Sequence, residues 1–359
     1  MNEPTQEEVI SLVSSVFEIK SFSQNIDALQ FEIDQEEFKP KFVKLAPSLE
    51  SKNLVARLEK FEGRVFLLVG RFHPPKLRRS WIPRVLFAAT IAVVMIDGYY
   101  RTLDANSIVR IGDPLEMAVL YTGALIGILG VHELGHIIAS KWHKLKTSWP
   151  YFIPGIPIIG FIPTFGALII SRSFMINRDT LFDVGISGPI AGLIVAVIVS
   201  TYGAYISPII PDEQAQPLFS KSELVEIHPS IIMSGTLVIA GKAVEGTEVI
   251  MSPVLYAAWL GFLITFLNLL PAWQLDGGHI ARATLGRKWH KITTYAGIGT
   301  LAILGYWIMA LFVLSFSMRN PDVRPLDDIS PLSTKRKKLF VLVMGLAVLC
   351  APLPFSILP

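Results

Sequence analysis

The chain has 359 residues, of which 52% are hydrophobic and 17% charged, and its mean hydropathy is +0.51. This balance is more apolar than that of soluble domains and predicts an integral membrane protein. The net charge of +3 is too small, and the basic residues are too closely tied to apolar segments, to indicate nucleic acid as a partner. The single cysteine, Cys350, excludes an intramolecular disulfide and a cysteine-based zinc cluster.

Residues 1–80 are predicted to form a small soluble α/β domain before the first apolar segment. A capping box at Thr5 and apolar residues at helical spacing predict a first helix. Leu29–Ile33 and Val65–Val69 are typical of strands, and Leu49–Phe61 is predicted to be a second helix. We find no chemical motif here, so we expect a folded cap, with a gating or substrate-presenting role as the alternative.

Residues 81–359 are predicted to form an α-helical polytopic membrane domain, because about six segments approach the 20 apolar residues that a span requires. The predicted spans are 82–100, 115–141, 182–206, 252–273, 292–316 and 338–357. The apolar run Ile231–Ala240 is too short to span and is assigned to an external loop.

Basic residues before the first span predict the orientation of the chain. They are Lys76, Arg78, Arg79 and Arg84. By the positive-inside rule the N-terminus is cytosolic, in a multi-pass protein of the cell membrane in a prokaryote or of an organelle otherwise. One feature disagrees, since Lys335–Lys338 would lie outside just before the last span. The last two helices are therefore the least determined by sequence.

The segment Tyr151–Ser171 is apolar but interrupted by several prolines and glycines. It cannot form one regular helix, and irregular backbone at membrane depth requires protein or water around it. We predict a re-entrant hairpin whose edge can bind an unwound peptide by strand addition. The alternative is a surface loop that dips into the headgroup region.

The pentapeptide His132-Glu133-Leu134-Gly135-His136 lies inside the second predicted span. On a helix, positions i and i+4 share a face, so His132 and His136 can bind one metal ion. In this motif the histidines hold Zn²⁺ and the glutamate acts as general base. Polar side chains at bilayer depth are costly and mark function. We therefore favour a zinc site over two buried histidines that neighbouring groups satisfy.

Zinc requires a third protein ligand besides two histidines. Asp276 lies near the inward end of the fourth predicted span, at the depth that the histidine motif also reaches, and is the preferred ligand. The alternative is a solvated acid at the end of a helix. His279, His143 and His290 are weaker candidates, because each lies near basic residues at the inner interface, where a solvated histidine is expected.

These motifs resemble those of the site-2 proteases, a family of intramembrane zinc metalloproteases. The resemblance covers roughly residues 81–290, the core of the membrane domain. It depends on the His132–His136 motif, the interrupted segment after it, the stretch Gly185–Gly192 and the stretch Asn268–Gly278. Many members carry a second proline where this chain has Ala272, Trp273 and Gln274, and we see no inserted PDZ domain or appended CBS pair.

The resemblance implies that His132, His136 and Asp276 bind one catalytic Zn²⁺ and that Glu133 is the general base. It implies that Asn268 positions substrate or stabilises the oxyanion, although a polar residue that joins two membrane helices is the alternative.

The implied activity is hydrolysis of peptide bonds in transmembrane segments of membrane-protein substrates, that is, regulated intramembrane proteolysis. The implied partners are those substrates and the lipid bilayer. Two alternatives remain from the residues: a metal or proton transporter, which predicts inverted repeats that we do not find, and a catalytically inactive relative that binds membrane proteins.

Overall fold

The computed structural model describes residues 4–24, 28–34, 37–72, 81–155, 163–171, 173–220, 227–319 and 324–352. Over these residues the protein is mostly helical, with one four-stranded sheet and two small two-stranded sheets. The first elements form an N-terminal unit, and the later helices form a bundle beside it.

The N-terminal unit packs two helices against an antiparallel sheet with strand order β1-β2-β4-β3. Its elements are α1 (Gln6–Ser14), β1 (Ile19–Gln24), β2 (Ala28–Ile33), α2 (Phe38–Glu50), β3 (Leu54–Phe61) and β4 (Arg64–Arg71). Phe31, Phe42 and Leu58 are fully buried in its core. Thr5 caps α1 as predicted, since its hydroxyl accepts a hydrogen bond from the Glu8 N–H at 3.3 Å.

The predicted helix at Leu49–Phe61 is wrong. Helix α2 ends at Glu50 and the following residues form β3, in which Leu54, Ala56 and Leu58 are buried and alternate with less buried neighbours. Alternation with a period of two places one set of side chains on the core face of a sheet. This short-period pattern describes the segment better than the helix that was expected to end near Gly63.

The bundle contains the helices that carry the polar motifs. Its longer helices are α3 (Ile82–Ile108), α4 (Pro114–Trp142), α5 (Arg178–Ile206), α8 (Pro253–Leu269), α9 (Asp276–Ile303), α10 (Trp307–Arg319) and α11 (Thr334–Cys350). Three of them, α3, α4 and α5, are long and apolar enough to cross a membrane. Helix α8 ends before Leu270 and Pro271 and is therefore shorter than the predicted span. The fold is that of a membrane protein.

Residues 292–316 do not form the single helix that was predicted. Helix α9 is kinked at Gly286 (φ 80°, ψ 178°), and a turn at Gly305 (φ 85°) separates it from α10. Both helices contact Trp273: His290 of α9 hydrogen-bonds its carbonyl oxygen, and the Phe316 ring of α10 lies 5.5 Å from its ring. The second part of α9 and α10 thus form an antiparallel helical hairpin.

This hairpin explains the charge pattern that disagreed with the predicted topology. The chain returns to the end of the bundle at which α5 begins, which we call the Arg178 end. There Arg336, at the start of α11, contacts Asp183 at 2.6 Å and Asp179 at 3.2 Å. The basic cluster Lys335–Lys338 therefore lies at the same end as the N-terminal unit, in agreement with the positive-inside rule.

The opposite end of the bundle carries small elements. They are β7 (Ile209–Pro211), α6 (Asp212–Ser220), α7 (Ile231–Ile239) and β8 (Thr247–Val249). The prediction of an external loop at Ile231–Ala240 is wrong, because Ser230 caps α7 and Thr236 hydrogen-bonds Ser200 of α5 at 2.6 Å. A short apolar run can form a helix that packs sideways without spanning.

The interrupted segment after α4 forms an antiparallel hairpin of β5 (Tyr151–Pro154) and β6 (Thr164–Leu168). Its connection, residues 156–162, lies outside the described residues. Strand β5 packs on α3, with the Phe87 and Phe152 ring centroids 5.0 Å apart. The two strands pair antiparallel, and the re-entrant hairpin stays a prediction.

Candidate metal centre

His132 and His136 lie one turn apart on α4 and point to one place. Their Nε2 atoms are 3.1 Å apart, and only 5% of His132 is exposed. Asp276, the first residue of α9, places its Oδ2 atom 3.3 Å from each Nε2. The three ligand atoms lie within 4.8 Å of one another. The structure therefore brings together the three residues named from sequence, although they belong to helices far apart in the chain.

The orientation of His136 is fixed by α5. Its Nδ1 lies 2.8 Å from the carbonyl oxygen of Val184. Because a carbonyl oxygen can only accept, Nδ1 carries the proton and Nε2 presents its lone pair to the centre. Such outer contacts hold metal-binding histidines in a single tautomer and orientation.

Glycines on α5 let it approach the two histidines. A methyl group on Gly188 would overlap the His136 ring, and one on Gly192 would lie 3.0 Å from the His132 Cβ. Gly135 of α4 also lies close to α5, since a methyl group added at Gly135 would lie 2.5 Å from the Ser187 carbonyl oxygen. Side chains at these positions would separate α4 from α5 and move the histidines.

The turn before Asp276 is held by α9. Trp273 adopts a left-handed backbone (φ 46°), its N–H donates to the Thr294 hydroxyl at 3.0 Å, and its carbonyl accepts from His290 at 2.9 Å. Side chains on Gly277 and Gly278 would overlap the carbonyls of this turn. His290 and Thr294 were not found as supporting residues from sequence, because only the kinked α9 brings them back to the turn.

The remaining candidates occupy distinct positions. Glu133 is buried on α4 next to His132, and half-buried Asn268 is the penultimate residue of α8. His143 contacts Asp183 at 2.9 Å, and His290 is buried rather than solvated, which corrects that expectation. His279 lies one turn after Asp276, with a buried Nδ1 that has no hydrogen-bond partner.

The donor set fits zinc. Two imidazole nitrogens and one carboxylate oxygen are the ligands of many catalytic zinc sites, which leave a fourth position open. Within the described residues, His132, His136 and Asp276 form the group that could hold a metal ion. The structure therefore presents a candidate metal centre that is buried between helices apolar and long enough to cross a membrane.

The chain belongs to peptidase family M50, the site-2 protease family, whose model matches residues 120–312. The predicted resemblance is thus confirmed. Curated relatives include the protein named "Probable zinc metalloprotease EGY2, chloroplastic" from Arabidopsis thaliana, which is 31% identical over 246 residues, 65% of this chain and 42% of the relative. The protein of that name from Oryza sativa subsp. indica is 32% identical over 257 residues, 66% of this chain and 43% of the relative.

A third relative is "Probable zinc metalloprotease EGY1, chloroplastic" from Arabidopsis thaliana. It is 30% identical over 262 residues, which cover 66% of this chain and 45% of the relative. The matched region is thus less than half the length of each of these three relatives. No solved structure matches the chain significantly. The comparisons favour zinc as the metal and a protease over the transporter and inactive alternatives.

Proposed function

We propose that this protein is an intramembrane zinc metalloendopeptidase that hydrolyses peptide bonds in transmembrane segments of other membrane proteins. The observation that carries the proposal is the convergence of His132, His136 and Asp276 at one buried point, with buried Glu133 next to His132 on the same helix. Family membership supports the reaction class.

The proposed roles of the three ligands are supported by the positions of their side chains, and those of Glu133 and Asn268 come from the family resemblance. The Nε2 atoms of His132 and His136 and the Oδ2 atom of Asp276 would hold the ion. Bound there, zinc would supply polarisation of the scissile carbonyl and a water that is nucleophilic at neutral pH. Glu133 takes the proton from the attacking water and returns it to the leaving amine. Asn268 donates a hydrogen bond from its amide to substrate or to the developing oxyanion.

The β5–β6 hairpin is the proposed substrate-binding element. With β5 packed on α3, the exposed apolar side chains of β6 include Phe165 and Leu168. A two-stranded hairpin leaves backbone donors and acceptors at its outer edge, and an unwound substrate segment can pair with them. Helical substrates must unwind first, so glycine and proline in them are expected to favour cleavage.

The proposed setting is a multi-pass protein with its N-terminal unit on the cytosolic side. The basic residues at the Arg178 end support this orientation. The named relatives are chloroplastic proteins. For this chain we infer the cell membrane in a prokaryotic host and an organelle membrane otherwise.

The test is cleavage of a model transmembrane substrate by the full chain purified in detergent with its metal content measured. We expect Glu133→Gln to abolish cleavage while it retains zinc. Glu116→Gln is the matched control, since Glu116 is an exposed acid in the first turn of the same helix. Equal cleavage by Glu133→Gln and the parent protein would overturn the proposal. So would undiminished cleavage after zinc has been stripped by a chelator.

A further inference from the structure

Arginines from two helices of the metal centre converge on Asp328, in the segment between α10 and α11. Arg282 of α9 binds both carboxylate oxygens, with Nη1–Oδ1 at 3.0 Å and Nη2–Oδ2 at 2.7 Å. Arg178 of α5 donates from Nε to Oδ1 at 3.2 Å and from Nη2 to the backbone carbonyl at 2.9 Å. Asp328 therefore joins α5 to α9.

This junction lies on the same interface as the metal centre. Helices α5 and α9 touch at Gly185, where a methyl group would lie 3.1 Å from the Asp276 carbonyl oxygen. Arg178 precedes Gly185 by seven residues, and Arg282 follows Asp276 by six. At 1.5 Å per residue, each arginine lies about 9–11 Å along its helix from the point of contact. The two helices are thus held at two separate points.

Both points of attachment determine the position of Asp276 relative to His132 and His136. Helix α5 already orients His136 through the Val184 carbonyl, so a shift of α9 along α5 moves the Asp276 carboxylate relative to the histidine nitrogens. The first part of α9 is only ten residues long before the kink at Gly286. The Trp273 turn holds its N-terminal end, and Arg282 holds it near its C-terminal end.

The pair is buried enough for its geometry to matter. The Arg282 side chain is 1% exposed and that of Asp328 16%. A bidentate arginine–carboxylate pair fixes distance and orientation together, which a single contact does not. By contrast, Arg324 and Glu59, 3.1 Å apart at the edge of the same network, are 36% and 38% exposed. Exposed ion pairs of that kind contribute little to the stability of the folded protein.

We propose that Arg282 and Asp328 are positioning residues, which fix the first part of α9 against α5 so that Asp276 meets His132 and His136. The inference rests on the proposed function, because it takes Asp276 as a metal ligand. Neither residue touches the metal-binding atoms in this assignment. Both act through the helix that carries Asp276.

The test measures zinc affinity of the full chain in detergent by competition with a chelating dye, together with the absorption spectrum of the Co²⁺ form. For Asp328→Asn we expect zinc affinity to fall about 10-fold or more, the range found when outer contacts of metal ligands are removed. We also expect the visible bands of bound Co²⁺ to change. Glu59→Gln, the matched exposed acid, is expected to leave both readouts unchanged.

A second variant covers the case in which Asp328→Asn does not fold. Arg282→Lys keeps the buried charge paired but cannot form the two-pronged contact. We expect it to fold and still to bind zinc more weakly than the parent protein. If the folded variants bind zinc as tightly as the parent and show the same Co²⁺ spectrum, the pair only stabilises the fold and the proposal is overturned, whatever their melting temperatures.

Reference variants separate this outcome from a failure of the proposed function. Asp276→Asn and His132→Ala are measured in the same assay. If they also bind zinc like the parent protein, the assigned metal centre itself is wrong. If they lose zinc while Asp328→Asn and Arg282→Lys do not, the centre stands and only the positioning role fails.

Discussion

Gly188 of α5 lies against the imidazole of His136, so close that a side chain on Gly188 would overlap the ring. The contact makes the spacing of α4 and α5 a determinant of the metal centre. Interiors are packed tightly enough that even one extra methyl group is felt.

Gly188→Ala is expected to displace His136 and to lower zinc affinity strongly, with a loss of stability of about 1–3 kcal/mol from overpacking. Zinc content after purification and thermal unfolding in detergent measure the two effects. Gly127→Ala is the control, because a methyl group at Gly127 of α4 would meet nothing within 4 Å. A Gly188→Ala protein with full zinc content would show that the ring can move aside without loss.

Zinc removal is expected to lower the melting temperature of the parent protein, because an ion that binds only the folded state stabilises it. At a free concentration 100 times the dissociation constant, the linkage is worth about 2.7 kcal/mol. In Asp276→Asn, the same chelator is expected to change the melting temperature little. Equal shifts in the two proteins would place the stabilising ion elsewhere.

A buried polar cluster lies between α3 and α4 near the end of the bundle opposite Arg178, and we expect it to stabilise the packing of these two helices. The Tyr121 hydroxyl donates to Asp97 Oδ2 at 2.7 Å, Arg101 contacts the same oxygen at 2.7 Å, and the Arg101 guanidinium lies 3.8 Å from the Tyr256 ring centroid. Tyr121→Phe removes a hydrogen bond to a charged group, so we expect a loss of about 1.5–3 kcal/mol. Thermal unfolding measures it.

Tyr99→Phe is the control for that prediction, since Tyr99 lies on α3 with 40% of its surface exposed. It should leave the unfolding temperature within error of the parent protein. If both tyrosine variants unfold at the same temperature, the Asp97 cluster does not hold α3 to α4.

The stability that Asp328 supplies is expected to depend on pH. Burial alone raises the pKa of this carboxyl group, but the hydrogen bond and charge of Arg282, together with Arg178, hold that pKa below its usual value. A carboxyl group with a depressed folded-state pKa stabilises the protein above its unfolded-state pKa, about 3.9. The contribution is lost as pH falls through the lower folded-state value.

Denaturant unfolding of the parent protein and Asp328→Asn between pH 6 and pH 3 tests this dependence. The stability difference between them should be constant above about pH 5 and should shrink towards pH 3. A difference that stays constant down to pH 3, or widens there, would contradict the assignment of Asp328 as an ionised partner of the arginines.

The metal centre was accessible to sequence reasoning because its chemistry is local. His132 and His136 are four residues apart, so helical periodicity alone places them together, and Asp276 stood out as an acid at the end of an apolar segment. Asp328 was not accessible in this way. It lies 150 residues from Arg178 and 46 from Arg282, and no periodic pattern connects positions that far apart.

The path of the last helices was missed for a different reason. Hydropathy measures how apolar a segment is, and residues 292–316 are apolar throughout, but it does not register that Gly305 reverses the direction of the chain. The reversal depends on the left-handed backbone of one glycine, Gly305, and an average over a window of residues does not detect it. The unexpected position of Lys335–Lys338 was the available indication that one predicted crossing was a reversal.

That reversal makes the number of passes of the chain along the bundle odd instead of even. The helices α3, α4, α5, the α8–α9 path and α11 each carry the described chain from one end of the bundle to the other, whereas the α9–α10 hairpin goes out and comes back. The odd total leaves Pro352, which pairs with Ser230, at the end of the bundle opposite the N-terminal unit. In the proposed membrane setting, reporters attached at these two places are expected to sample different compartments.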